Sequence, residues 1–196
     1  MIQNQFSLLK KVTGFSLFCC FLMASCAVEE KQNGDSVFYD TEGFISEQIR
    51  QLERINPSVE RHNQLKEQKE QLTLSDVDWE NELDLFLTSD INKPSYLASY
   101  DVSKPDSLTT QYELKEGESL PVKRMKIQVN PDNLLPERLE VDLYRKNKLF
   151  EMEKNLMLSA SETDGQWLIR DYSISGFQEV LILGKTTFDI QGIIQY

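Results

Sequence analysis

The sequence predicts an α+β domain, with helical elements first and an antiparallel β-meander of about seven or eight strands after them. Three observations carry this. Apolar residues recur at helical spacing in two early stretches, around Ile45 and around Leu83. From Tyr96 onward the apolar period changes to two. Turn-forming pairs, Asp164-Gly165 and Gly184-Lys185, fall between alternating runs.

The elements follow in order. Ile45, Ile49, Leu52 and Ile55 line one side of a helix over Thr41–Ile55, with Thr41 as N-cap and Asn56-Pro57 as its stop. Ser58–Leu74 is rich in Glu, Lys and Gln, which suit a helix, but Val59, Leu65, Leu72 and Leu74 are too sparse for a buried stripe. A polar hairpin is the favoured reading there. A second helix places Trp79, Leu83, Phe86 and Leu87 on one face and Glu80, Asn81 and Asp84 on the other. Ser75 or Asp76 is expected to cap it, and Asn92-Lys93-Pro94 to stop it.

The later chain alternates. Leu108, Thr110, Tyr112 and Leu114 form one run; Met125, Ile127 and Val129 a second; Leu139, Val141 and Leu143 a third. Phe150, Met152, Leu156 and Leu158 share a face in a fourth. Such alternation marks antiparallel strands with one wet face. Asp164-Gly165 suits a type I′ hairpin and Gly184-Lys185 a type II′. Val180-Leu181-Ile182-Leu183 is apolar throughout, and is expected to be a central strand buried on both faces. The apolar stripe of the second helix is the expected cover for the sheet.

The N-terminus carries a different signal. Lys10 and Lys11 precede an apolar run from Val12 to Ala24, which ends in Met23-Ala24-Ser25-Cys26. A positive start, a short apolar centre and small residues before a cut define an export signal. The run is too short for a membrane span, which needs about 20 apolar residues. The pattern resembles the lipobox of bacterial lipoproteins, with Met23 where Leu is more usual. That resemblance implies cleavage between Ser25 and Cys26, and acyl chains such as palmitate on Cys26. Residues 1–25 are then the signal, 26–36 a polar tether, and 37–196 a single domain. Cys19 and Cys20 fall in the signal, so Cys26 is the only cysteine left, and no disulfide or thiolate metal site can form within one mature chain.

Processing would leave 171 residues, with 19 basic against 32 acidic side chains and a net charge of −13. Phosphate backbones and anionic surfaces repel such a chain overall, so nucleic acid is not an expected partner. The expected partner is a membrane, reached through the lipid anchor, together with an envelope protein. Glu29 and Glu30, just behind Cys26, resemble surface-export signals of some Bacteroidota lipoproteins, and read equally well as a solvated linker. Two further segments carry a resemblance. Asp78–Phe86 with Asp90–Pro94, and Tyr172–Gln178, look like stretches of a group of uncharacterised Bacteroidota lipoproteins. The resemblance implies one domain, an outer-membrane location and a hairpin over Ser58–Leu74. It implies no activity.

Chemistry is sparse. No GxSxG, HExxH, GxGxxG or P-loop occurs. His62 is the only histidine and lies among polar residues, where an exposed surface role is expected. Glu82 and Asp84 could form an acid/base pair only across a cleft, and two residues apart on a helix they do not face each other. Asp76, Asp78 and Asp90 lack the Gly-centred spacing of a calcium loop and are expected in capping and turn roles. Neither a metal nor a cofactor is expected. Trp79, Phe86, Trp167 and Tyr172 are candidates to line a ligand recess, although aromatics at such spacing are more often core. The expected function is that of a non-catalytic envelope lipoprotein, a binding or assembly module at the outer membrane. An alternative is a carrier of an apolar ligand between sheet and helix, by fold-level likeness to half-barrel lipoprotein carriers. A hydrolase of envelope glycans or peptides is the most remote alternative.

Overall fold

The structure, a computed structural model, describes residues 38–196. The expected signal with Ser25 and Cys26, and the expected tether, lie outside the described residues. The chain runs α1 (Thr41–Ile55), β1 (Ser58–Leu65), β2 (Gln68–Leu74), α2 (Trp79–Thr88), then β3 (Tyr100–Ser103), β4 (Thr109–Leu114), β5 (Val122–Val129), β6 (Pro136–Lys146), β7 (Phe150–Thr163), β8 (Gln166–Val180) and β9 (Gly184–Gln195). All strands join one antiparallel sheet in the order β2-β1-β9-β8-β7-β6-β5-β4-β3. The sheet has nine strands because the polar hairpin of β1 and β2 adds two to a meander of seven. The expected count of seven or eight missed that β1 pairs with β9.

Helix α1 spans the predicted residues. Its N-cap is Asp40, whose carboxylate accepts the Gly43 N–H at 2.8 Å, and not Thr41, which is buried as the first helical residue. Asn56 ends it in the left-handed conformation, where its short polar side chain is tolerated. Helix α2 starts later than predicted. Asp78 caps it by accepting from Asn81, and it ends at Thr88, before Asn92-Lys93-Pro94. Glu80, Asn81 and Asp84 are exposed on its outer side, as predicted.

The two helices lie over one face of the sheet, and that face holds the core. Ile45, Leu52, Trp79, Leu83 and Phe86 from the helices join Val59, Met125, Val141, Leu158, Ile169 and Ile194 from the strands in one buried cluster. The opposite face is polar. Across β5 and β6, Arg124 pairs with Asp142 at 2.7 Å and with Glu140 at 3.6 Å, while Arg138 reaches Glu140 at 2.8 Å.

β8 carries a bulge. Ser159 pairs with Asp171 and Ala160 with Ile169, so Arg170 is the extra residue. Buried Gln48 of α1 repairs the interrupted ladder. Its Oε1 accepts the Ile169 N–H at 2.9 Å, and its Nε2 donates to the Trp167 carbonyl at 3.0 Å. The Tyr196 hydroxyl donates to the Ile169 carbonyl. Each backbone group freed by the bulge named here thus finds a partner.

Two turns contrast. Asp164 and Gly165 both have positive φ, 50° and 75°, and close the β7–β8 hairpin as a type I′ turn does. The Val180–Leu183 prediction fails. Val180 is the last residue of β8, and Leu181–Leu183 form an exposed turn. Val180 pairs with Gly184, whose φ of 75° is the left-handed position that closes a three-residue hairpin loop. The glycine therefore ends the turn instead of beginning it, which puts the preceding aliphatics in the loop.

Candidate functional site

The predicted aromatics do not gather around one recess. Trp79, Phe86 and Tyr172 are 1%, 0% and 2% exposed, inside the core. Trp167 is half-buried, and its indole N–H donates to the Pro136 carbonyl at 2.8 Å. Of these, Tyr172 has a polar role. Its ring lies over Gly192 of β9, its partner in register; a Cβ there would lie 2.1 Å from the ring. Its hydroxyl donates to Glu82 Oε1 of α2, and Glu82 Oε2 accepts from Arg61 of β1 at 3.2 Å. Burial, reinforced by the bond to Glu82, pushes the phenol well above its ordinary range, so it stays a donor. Three elements are braced through one carboxylate. Because Glu82 turns inward to this brace while Asp84 is exposed, the two do not form an acid/base pair.

His62 lies on β1 with its side chain 43% exposed and Nε2 3.1 Å from Glu60 Oε1. It borders a shallow, polar depression with Gln71, Asp189 and Gln191 at the β1–β2 edge. Asp78 and Asp90 take the expected capping and turn roles, Asp90 Oδ2 accepting from the Asn92 N–H at 3.0 Å. Among the described residues, no group of three His, Cys, Asp or Glu side chains is arranged to hold a metal.

A recess of about 310 Å³ opens where the end of α2 meets the sheet. Leu85, Tyr96, Val122, Leu143 and Met152 give it apolar walls. Lys93, Arg145 and Lys154 add three cations, none with a carboxylate partner among the described residues. Lys93 Nζ lies 5.6 Å from the Tyr96 ring centre. Burial lowers the Lys154 ammonium below its ordinary range, partly offset by Asp84. Asp90 is the recess's one carboxylate, and its Oδ1 is buried without a hydrogen-bond partner among the described residues. Burial raises its carboxyl above the ordinary range, and the nearby Glu42 and Asp40 add to this. Such a recess can hold an anionic group beside a small apolar body. Among the described residues, Asp90 is the single acid that lines it.

Sequence reasoning missed these residues, yet a signal existed. Lys154 falls on the inward parity of β7, between Met152 and Leu156. Arg145 continues the Leu139, Val141, Leu143 parity of β6. A charge where the alternation calls for an apolar side chain marks the border of the core. Compared with protein-family models, with curated proteins and with solved structures, the chain matches none.

Proposed function

We propose that this chain is a non-catalytic cell-envelope lipoprotein, held at the outer membrane by acyl chains on Cys26 and acting as a binding or assembly module. The anchor part rests on Lys10-Lys11, the apolar run and Met23-Ala24-Ser25-Cys26. The binding part rests on one observation: a half-apolar recess with three cations that have no carboxylate partner among the described residues, in a chain of net charge −11. Cations left without partners in so acidic a chain are available to an external anion. The anchor is tested by Cys26→Ser. The parent should carry acyl mass on Cys26 and the variant none, with the variant more readily released from the membrane; a parent without acyl mass on Cys26 refutes the anchor.

The carrier reading is favoured by the same recess, in a narrower form. The α2 face is packed, with Trp79, Leu83 and Phe86 all buried, and this recess lies at the helix end. A recess at the lower limit of ligand-site volumes suits a small amphipathic anion better than a whole acyl chain. Octanoate is a suitable probe. Lys154→Met keeps the apolar stem and removes the charge, and should weaken octanoate binding by roughly tenfold, the loss of one charge-assisted contact. Equal binding by variant and parent, or none by the parent, removes this reading.

A further inference from the structure

The face opposite the helices is polar, and the core is covered, but one end of the sheet is neither. Leu149 is 67% exposed, Leu181 73%, Ile182 91% and Leu183 81%. Single exposed aliphatics are ordinary, whereas four in adjoining turns make a patch that calls for a partner. The patch is held firmly. Phe150 pairs with Val180, and the Leu181 N–H donates to the Leu149 carbonyl at 3.0 Å, which ties the β6–β7 tip to the β8–β9 tip. Asn147 Oδ1 accepts from the N–H groups of Leu149 and Phe150 at 2.8 and 2.9 Å.

The rim of the patch is basic. Residues 145–151 carry Arg145, Lys146 and Lys148 against Glu151, and residues 179–185 balance Glu179 with Lys185, a net of +2 in a chain of −11. Lys185 Nζ lies 3.7 Å from the centre of the Phe177 ring, which fixes that cation beside the tip. We propose that these two tips form an insertion point for an anionic lipid bilayer surface. The aliphatics would enter the interface to the about 5–10 Å typical of amphipathic elements, with the lysines reaching back to the headgroups. The backbone of a turn has N–H and C=O groups that deeper hydrocarbon would leave unpaired, which restricts insertion to the interface. The acidic remainder is repelled by the same surface and turns the domain tip first. This contact is separate from acylation of Cys26 and goes beyond the anchoring reading.

The test uses the full chain carrying Ile182→Trp, reconstituted into vesicles of phosphatidylcholine and phosphatidylglycerol, with and without bromine on the acyl chains. The parent, with Trp79 and Trp167, supplies the background. The added emission should shift to the blue on vesicles and lose at least about half its intensity to brominated lipid, a loss reduced by Lys148→Glu. Unquenched added emission from vesicle-attached protein overturns the proposal while leaving the anchor intact. Acyl mass on Cys26 bears on the anchor alone. Added emission that is already blue without vesicles also overturns the proposal. It would mean that the patch is covered by a second copy if the shift depends on concentration, and by the chain's own N-terminal segment if it does not.

Discussion

At the scale of single residues, polar groups that enter the core follow two rules. Some are fully paired, as Gln48 is at the β8 bulge and Glu82 is between Tyr172 and Arg61. Asp90 is not: one oxygen accepts from Asn92, the other is buried without a partner among the described residues. A carboxyl whose folded pKa is raised above its ordinary 3.8 costs stability once it ionises. The native state binds that proton more tightly than the unfolded state, so stability falls as pH rises from the unfolded value through the folded one. Asp90→Asn keeps the acceptor for Asn92 and removes the charge. It should be more stable than the parent at neutral pH in urea unfolding, and its advantage should shrink as pH falls through the raised pKa. An unchanged difference across that range would mean that Asp90 does not carry the penalty.

At the scale of elements, the hydrophobic period was a sound guide wherever it ran long enough. Helix α1 has its predicted ends because four apolar residues recur on one face and Asn56-Pro57 stops it. The β-runs around Met125, Leu139 and Leu156 lie inward as their alternation requires. The short run at Val180–Leu183 misled because four consecutive apolar residues have no period, and the register of the β8–β9 pair decides their place. An exposed turn makes its own stability prediction. Replacing Leu181, Ile182 and Leu183 together by Ser should change the unfolding free energy by no more than about 0.5 kcal/mol per site. A buried central strand would lose roughly 2–5 kcal/mol at each large-to-small change. Chemical denaturation distinguishes the two, and the same variant should lose vesicle insertion.

At the scale of the whole molecule, the sheet is closed off at its borders by composition. The edge strand β2 is polar and the other edge, β3, is four residues long, both of which discourage pairing with another chain. The pairing of β1 with β9 brings the start of the domain to the end of the meander, and Gly192 makes room there for the Tyr172 ring. Charge is distributed unevenly on this frame, with basic residues around the recess and the apolar tips of a chain that is acidic in sum. What the sequence by itself determined is local: the helices, the period of the strands and the Asp164-Gly165 turn, because each depends on residues close in the chain. What only the tertiary structure decided is everything that depends on register across strands. That includes the ninth strand, the inward turn of Glu82, the meeting of Lys93, Arg145 and Lys154, and the exposure of Leu181–Leu183. Except for the Val180–Gly184 pairing that sets the turn, those arrangements bring together residues tens of positions apart, and a one-residue change of register would move the strand side chains among them to the other face.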